Sequence, residues 1–122
     1  MGRWLSYPRD HRRSIKSAPG CYAIFDELGL LYIGQSENVW SRLNHGHNVF
    51  AQEDSDLRSR KFDVRISHIK VRYDKLFGER LMREARLIRK LRPSGNANLG
   101  IRKRKNTLVS HRGMKPHEIE SW

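Results

Sequence analysis

Two tyrosines occupy near-mirror settings in the stretch GCYAIFDELGLLYIGQS, residues 20–36: Gly-Cys-Tyr at its start and Tyr-Ile-Gly near its end. The runs CYAIF and LLYIG are rich in aromatic and β-branched residues, and Gly29 lies between them, so the pattern predicts a β-hairpin. A hairpin can place Tyr22 and Tyr32 side by side on neighbouring strands. Their phenols are candidates for proton transfer, and the alternative is an aromatic pair without chemistry.

A carboxylate, Glu84, falls within the apolar side of a predicted helix that begins after Asp74 and is ended by Pro93. The residues that define this apolar side are Phe77, Leu81, Ala85, Ile88 and Leu91. At about 100° per residue, Glu84 points in the same direction. A carboxylate there needs a cation, hydrogen bonds or a metal ion, so the sequence predicts either a structural ion pair or a metal ligand.

A shorter helix is predicted between the hairpin and residue 46, with Ser36 as its capping residue. Val39 and Leu43 define its inward side, and Arg42 lies about 60° away, on a flank that it shares with His45. An arginine offers a planar fork for a phosphate, and a histidine can bond to the phosphate or transfer a proton. The pair predicts a phosphate site, with ordinary surface residues as the alternative.

The remaining segments lie between and around these candidates. FDVRISHIKV, residues 62–71, predicts a third strand with a bulge near His68, where the alternation of apolar residues slips. Residues 1–19 are basic and interrupted by prolines, which predicts an irregular arm. Residues 47–61 and 94–100 predict loops, because neither has a sustained apolar period.

The charge of the chain restricts its partners. The 122 residues fit one domain, and 25 Lys and Arg against 13 Asp and Glu give a net charge of +12, which favours a polyanionic partner. No apolar run approaches the roughly 20 residues that span a bilayer, so we expect no membrane association.

Sequence features also bear on location. The basic start of the chain lacks the apolar region of an export signal, and Pro8 argues against the alternative of an organellar transit peptide. Cys21 is the only cysteine, which excludes an intramolecular disulfide and a cysteine-based zinc ribbon. We therefore expect an intracellular protein, cytoplasmic or nucleoid-associated.

Taken together, these motifs resemble the GIY-YIG nuclease family over residues 18–98. The matching segments are Gly20-Cys21-Tyr22, Tyr32-Ile33-Gly34, QSENVWSR up to Arg42, and EARLIRKLRPSGN from Glu84 to Asn96. Cys21 replaces the usual Ile or Val of the first motif, and its side chain is expected to point away from the tyrosine face of the strand. The resemblance implies an α+β fold with a small, three-stranded, mainly antiparallel sheet flanked by helices. The domains would be a basic arm, 1–19, a nuclease-like domain, 20–98, and a basic extension, 99–122.

The resemblance also implies a reaction, the hydrolysis of phosphodiester bonds by a metal-dependent DNA endonuclease. Glu84 would be the protein ligand of one Mg²⁺ or Mn²⁺ ion. Tyr22 would be the general base toward the attacking water, as a phenolate favoured by nearby positive charge, and Tyr32 would hydrogen-bond in the same site. Arg42 would clamp the scissile phosphate, and Asn96 would orient the active-site loop.

Many members of that family place a histidine or tyrosine one turn after the arginine. His45 is one residue too early for this position and His47 is one too late. We expect His45 to be the site histidine because it shares the flank of Arg42, whereas His47 falls near Trp40.

Other residues are expected to contact DNA, with RNA not excluded. They are Arg12 and Arg13 in the arm, Gln35 after the hairpin, and Arg102, Lys103, Arg104 and Lys105 in the segment IRKRK. The alternative for both flanks is a solvated tail. No DNA-reading domain is evident, so either the short flanks read DNA, or the enzyme is structure-directed, weakly specific or dependent on a specificity partner. A single site would nick one strand, so a double-strand cut would need a homodimer or two sequential events. The alternative function is a catalytically inactive nucleic-acid-binding module of the same fold. A histidine-metal nuclease is disfavoured, because NHGHN, residues 44–48, has no matching downstream segment.

Overall fold

The computed structural model describes residues 3–27, 29–45, 47, 66–93, 96 and 114–122. These form an antiparallel sheet of four strands, β1 (Leu5–Pro8), β2 (Gly20–Asp26), β3 (Gly29–Ser36) and β4 (Ile66–Tyr73), in the order β1-β4-β2-β3. Two α-helices accompany the sheet, α1 (Val39–Asn44) and α2 (Phe77–Leu91), with a 3₁₀ helix near each end of the chain, Arg9–Ser14 and Pro116–Ser121. The predicted α+β class is confirmed. In the described part of the chain, no helix is long and apolar enough to span a membrane.

The predicted hairpin is formed by β2 and β3. Gly29 has a φ of 130°, in the region that favours glycine, and its N–H donates a 3.0 Å hydrogen bond to Asp26 Oδ1. In the resulting register Tyr22 lies opposite Gly34, and Ile24 lies opposite Tyr32. The hairpin therefore fixes both tyrosines on one face of the sheet.

Strand β4 lies between β1 and β2 and contains the predicted bulge. His68 pairs with Phe25 and Ile66 pairs with Asp26, so Ser67 is an extra residue on β4. The predicted position near His68 is confirmed. Residues 62–65, which were also assigned to this strand, lie outside the described residues.

The prediction of an irregular arm is wrong for residues 5–14. Strand β1 pairs with β4, starting with Leu5 opposite Val71, which makes the sheet four-stranded rather than three-stranded. β1 is an edge strand with largely exposed side chains, so its sequence has no apolar alternation to indicate a strand. Pro8 ends it at a position where an edge strand tolerates proline.

Each face of the sheet has its own core. On the face covered by α1 and the first 3₁₀ helix, the buried residues are Ile15, Tyr22, Ile24, Leu31, Val39, Leu43, Ile66, Ile69 and Val71. On the face covered by α2 and the second 3₁₀ helix, they are Trp4, Cys21, Ala23, Phe25, Leu30, Ile33, Leu87, Leu91, Met114 and Ile119. Cys21 and Tyr22 thus belong to opposite faces, as the alternation along β2 predicts.

Helix α1 is shorter than predicted and has a different cap. Asn38, not Ser36, is the N-cap, and its Oδ1 accepts a 2.9 Å hydrogen bond from the N–H of Ser41. Ser36 supports the cap by accepting a 3.0 Å bond from the N–H of Asn38. The helix ends at Asn44, before His45.

The buried side of α2 is rotated from the predicted one. Phe77 is 54% exposed and Leu81 is 44% exposed, whereas Arg80 is only 2% exposed and aligns with the buried Leu87 and Leu91. The predicted apolar side is therefore wrong at Phe77, Leu81 and Ala85, which are all exposed, and it is correct for Leu91.

The partners of Arg80 explain this rotation. Its Nε donates to Gln35 Oε1 at 3.1 Å, and its Nη1 donates to the carbonyl oxygens of Asp74 and Lys75 at 3.2 and 3.0 Å. A buried guanidinium with these acceptors avoids the cost of unpaired burial, so the helix can direct an arginine toward the sheet.

Candidate active site

The rings of Tyr22 and Tyr32 stack on the face of the sheet that α1 covers. Their centroids are 6.2 Å apart and their planes differ by 16°. The two residues are diagonal neighbours across the hairpin, because Tyr22 lies opposite Gly34 and Tyr32 lies opposite Ile24. Tyr22 is fully buried, and Tyr32 is partly buried at the rim of the same core.

Gly34 leaves the space that the Tyr22 phenol occupies. A Cβ atom added at Gly34 would lie 2.5 Å from both Cζ and the hydroxyl oxygen of Tyr22. Any larger residue would therefore displace the phenol. This contact gives a physical reason for glycine in the Tyr-Ile-Gly motif.

His47 completes the cluster around the tyrosines. Its Nε2 lies 2.9 Å from the hydroxyl oxygen of Tyr22, and its ring meets those of Tyr22 and Tyr32 edge-on, at centroid distances of 5.6 and 4.8 Å. His45 is exposed and lies edge-on against Trp40 at 5.1 Å. The structure thus brings His47, and not the expected His45, to the tyrosines, because α1 ends at Asn44 and helical angles no longer describe the residues that follow.

The ionisation of this cluster is set mainly by burial. Burial raises the pKa of Tyr22, and Tyr32 raises it further, which outweighs the opposing charge and hydrogen bond of Arg42. Burial also lowers the pKa of His47 to about 3, with contributions from the charges of Arg42 and Arg12. At neutral pH, Tyr22 is a neutral phenol and His47 a neutral imidazole.

The direction of the Tyr22–His47 hydrogen bond follows from these charge states. The charge of Arg42 acts on the phenol, and a guanidinium can only donate hydrogen bonds, so Arg42 does not compete for the phenolic hydrogen. We assign this hydrogen to the bond with Nε2 of His47, which then carries its own hydrogen on Nδ1. The phenol of Tyr22 therefore donates to a neutral imidazole within the field of a guanidinium.

Glu84 reaches the outer edge of β3 from α2. It is partly buried, and burial raises the pKa of its carboxyl group, an effect that the backbone N–H of Gln35, the residue after Gly34, partly opposes. The carboxylate therefore lies one residue along β3 from the glycine that supports the Tyr22 phenol.

Asn96 binds the same edge of β3. Its Oδ1 accepts a 2.7 Å hydrogen bond from the N–H of Ile33, and its Nδ2 donates a 2.6 Å bond to the carbonyl oxygen of Ile33. The amide side chain acts like the peptide group of a further strand. Glu84, within α2, and Asn96, after the end of α2, thus both act on outward-facing peptide groups of β3, those of Gln35 and Ile33.

This arrangement agrees with the comparison to known protein families. Residues 18–98 match the model of the GIY-YIG catalytic domain. The chain belongs to the GIY-YIG nuclease family. Both motifs that give the family its name lie on the β2–β3 hairpin, and Glu84 and Asn96 bind its outer strand.

Individual relatives of this GIY-YIG chain are much longer proteins. It is 31% identical over 86 residues to the UvrABC system protein C of Legionella pneumophila strain Lens, covering 70% of this chain and 13% of that protein. The same-named protein of Methylococcus capsulatus is 32% identical over 87 residues, with 70% and 14% covered. That of Trichlorobacter lovleyi is 33% identical over 92 residues, with 75% and 15% covered. No solved structure matches the chain.

The residues that were expected to contact DNA have different environments in the structure, and some lie outside the described residues. Arg12 lies close enough to His47 for its charge to lower the pKa of that imidazole. The side chain of Arg13 is exposed, and that of Gln35 is held by Arg80. Four basic residues lie outside the described residues: Arg102, Lys103, Arg104 and Lys105.

Two residues of this GIY-YIG site were misjudged or missed from the sequence. His47 was considered and rejected, and its contact with Tyr22 depends on the path of the chain after α1. Arg80 was not singled out, although it lies at spacings of seven from Leu87 and four from Glu84. Those spacings place it on the Glu84 side of the helix and could have indicated an inward-facing arginine.

Proposed function

We propose that this chain is a metal-dependent DNA endonuclease that hydrolyses phosphodiester bonds. The observation that carries the proposal is the position of the Tyr22 phenol, whose hydroxyl oxygen lies 2.9 Å from Nε2 of His47 and within the field of the Arg42 charge. Such a phenol can receive a proton from water only if it can pass its own proton onward, and His47 supplies the acceptor.

The proton path balances with the residues present. The attacking water gives a proton to the hydroxyl oxygen of Tyr22 while the phenolic hydrogen moves to Nε2 of His47. The resulting hydroxide attacks phosphorus while the bond between phosphorus and the leaving oxygen breaks; the leaving oxyanion takes a proton from solvent water, and His47 becomes an imidazolium. Burial is the largest cause of the low pKa of His47, and a bound phosphate would offset only the smaller contributions of the Arg42 and Arg12 charges. This relay replaces the expected resting phenolate, because burial keeps the pKa of Tyr22 high.

The donor set near Tyr22 suits a hard divalent cation. GIY-YIG nucleases generally depend on a divalent metal, and we propose Mg²⁺ or Mn²⁺. The described residues contain no group of three His, Cys, Asp or Glu side chains that could hold a metal ion. Magnesium ions commonly use one or two carboxylates and keep several waters, so Glu84 alone fits as the protein ligand. When bound, the metal ion would stabilise the charge that develops on the leaving oxygen.

Arg42 and Tyr32 have supporting roles in this proposal. Arg42 would hold a non-bridging oxygen of the scissile phosphate, and its charge would favour the movement of the phenolic hydrogen toward His47. Tyr32 would keep the phenol in place through stacking at 6.2 Å. Asn96 would position the edge of β3 rather than touch the substrate.

DNA is the proposed substrate because of the net charge of +12 and the phosphate-binding groups in the site. The relatives are named as a component of the UvrABC system. We propose that a homodimer or a partner protein supplies target selection. An intracellular location accords with a DNA substrate.

A cleavage panel tests the proposal. Duplex, branched and single-stranded DNA and a matched RNA are incubated with Mg²⁺ or with a chelator. We expect DNA cleavage only with Mg²⁺, and we expect Glu84→Gln to reduce it to the chelator background while DNA binding persists. Glu27→Gln, at an exposed residue of the hairpin turn, is the matched control and should cleave normally. Cleavage that continues in chelator would contradict the proposal.

The same panel distinguishes an enzyme from a binding module of the same fold. A module without turnover would bind every DNA in the panel and cleave none of them. An equal loss of binding and cleavage in Glu84→Gln would also assign that residue to binding rather than to metal-dependent chemistry.

A further inference from the structure

Arg80 attaches helix α2 to the sheet through both its side chain and its backbone. Its Nε donates a 3.1 Å hydrogen bond to Oε1 of Gln35 on β3. Its carbonyl oxygen accepts a 3.4 Å hydrogen bond from the thiol of Cys21 on β2. Cys21 and Gln35 lie opposite each other in the β2–β3 register. One residue of the helix therefore contacts a matched pair of residues on two neighbouring strands.

This pair of residues adjoins the pair that contains the Tyr22 phenol. In the same register, Tyr22 lies opposite Gly34, one residue along from Cys21 and Gln35. Because side chains alternate along a strand, the first pair faces α2, whereas Tyr22 faces α1. Arg80 is thus attached to the sheet directly behind the position of the phenol.

Glu84 follows Arg80 by one turn of α2. Residues four apart on a helix are neighbours on its surface, with Cβ atoms about 5–6 Å apart. The attachment of Arg80 therefore determines where the carboxylate of Glu84 lies relative to β3. In agreement with this closeness, the backbone N–H of Gln35 opposes the rise in the pKa of Glu84. Arg80 links the helix that carries Glu84 to the strands that carry and support Tyr22.

The surroundings of Arg80 enclose its guanidinium instead of presenting it to a substrate. The residue is only 2% exposed, and the ring of Phe77 lies 5.6 Å from its Cζ. Nη1 donates to the carbonyl oxygens of Asp74 and Lys75, which precede α2, at 3.2 and 3.0 Å. Acceptors in several directions fix the orientation of the planar guanidinium group. These contacts suit a residue that positions others and does not touch DNA itself.

We propose that Arg80, through its acceptor Gln35, is a positioning residue that sets the distance between Glu84 and the Tyr22 phenol. The inference deepens the proposed function and rests on it. It also gives Gln35 the role of supporting the metal ligand in place of the expected contact with DNA. Small displacements matter in such a site, because a misplacement of about 1 Å can reduce a reaction rate about 100-fold.

Two arginine variants of α2 test this role through cleavage. Arg80→Met removes the donors and keeps an unbranched side chain, and Arg89→Met removes the same charge from an exposed position of the same helix. At saturating enzyme and Mg²⁺, single-turnover cleavage should be about 10- to 100-fold slower in Arg80→Met than in Arg89→Met. Urea unfolding establishes the conditions under which both variants are folded. Equal rates of the two folded variants would overturn the proposal.

DNA binding supplies a measurement that a purely structural role would not change. Affinity for duplex DNA is measured in chelator and in Ca²⁺, a cation that also prefers oxygen ligands. The part of the affinity gained in Ca²⁺ that is lost in Glu84→Gln depends on the carboxylate. We expect Arg80→Met to lose most of this part, while its affinity in chelator stays close to that of Arg89→Met. A loss of stability alone, with this part retained, would mean that Arg80 supports only the fold.

Gln35→Leu tests the same attachment from the side of β3. It removes one acceptor of Arg80 and leaves the two carbonyl oxygens, so it applies even if Arg80→Met does not fold. Slower cleavage and a smaller gain in Ca²⁺ are expected, without further loss when the two changes are combined, because both break one hydrogen bond. Normal cleavage by folded Gln35→Leu would overturn the inference alone. If the wild-type chain neither cuts DNA nor binds it more tightly in Ca²⁺, the proposed function fails and the inference fails with it.

Discussion

The environment of the Tyr22 hydroxyl suits a neutral phenol that relays a proton better than it suits a stable phenolate. Burial raises its pKa, Arg42 opposes that effect without overcoming it, and a neutral His47 lies 2.9 Å away. The sequence indicated the two tyrosines and Arg42 as candidate site residues because they belong to motifs that are recognised by residue type and spacing. It favoured His45, whereas the structure places His47 against Tyr22, because helical angles were extended beyond the last residue of α1.

Replacement of the two histidines by glutamine is expected to separate their roles. His47→Gln should lower the cleavage rate about 100-fold or more, in line with the loss of a proton-transfer group. His45→Gln should cleave like the wild-type chain, because His45 is exposed and contacts Trp40. Single-turnover cleavage rates at saturating enzyme measure this difference. Equal rates in the two variants would remove His47 from the reaction.

His47 also makes the stability of the fold depend on pH. Its pKa falls from 6.5 to about 3 on folding, so between these values the unfolded chain binds a proton that the native chain does not. The free energy of unfolding should therefore fall on acidification below the unfolded pKa, by about 1.4 kcal/mol per pH unit from this group. Urea unfolding between pH 7 and pH 5 should show a smaller decrease in His47→Gln than in His45→Gln. Parallel curves would contradict a buried neutral His47.

Gly34→Ala tests the close contact beneath the Tyr22 phenol. The added Cβ would lie 2.5 Å from the hydroxyl oxygen, so the ring must move. We expect a loss of about 1–3 kcal/mol in the free energy of unfolding, together with a fall in cleavage rate that exceeds any loss of DNA binding. Gly78→Ala is the matched control, because an added Cβ there meets no atom within 4 Å.

At the scale of elements, the sequence predicted the features that depend on residues close together along the chain. The β2–β3 hairpin and the bulge beside His68 follow from residue type and alternation. The orientation of α2 follows only in part: the spacing of Arg80 from Glu84 and Leu87 indicates its side of the helix, but the acceptors on Gln35, Asp74 and Lys75 that allow its burial depend on the fold. Strand β1 was not predicted, because an edge strand with exposed side chains has no alternation of apolar and polar residues.

The outer edge of β3 connects the cluster of Tyr22, Tyr32 and His47 with Glu84. A substitution of Asn96, which binds this edge, tests that role. Asn96→Asp keeps an acceptor for the N–H of Ile33 but cannot donate to its carbonyl oxygen. We expect a loss of about 1–3 kcal/mol in stability, because a partner is left unsatisfied. The cleavage rate should fall more than DNA affinity, because Glu84 binds the next outward-facing peptide group of the same edge. Urea unfolding and binding titrations check both effects.

At the scale of the whole molecule, the folded unit is larger than the segment that matches the family. The match covers residues 18–98. Trp4 and Ile15 precede it, and Met114 and Ile119 follow it, yet all four are buried in the two cores. Lys70 of β4 also bonds to Glu120 at 2.6 Å, which holds the C-terminal 3₁₀ helix against the sheet.

A fragment of residues 18–98 is therefore expected not to fold stably. It lacks the buried side chains of both flanks, each worth about 1.5–3 kcal/mol, against a total stability of about 5–15 kcal/mol for a typical domain. It also lacks β1, so β4 becomes an edge strand with unpaired peptide groups. Circular dichroism during urea unfolding should show little or no cooperative transition for the fragment, whereas residues 3–122 should unfold like the full chain. Equal midpoints for the fragment and the full chain would mean that the flanks contribute binding groups but no stability.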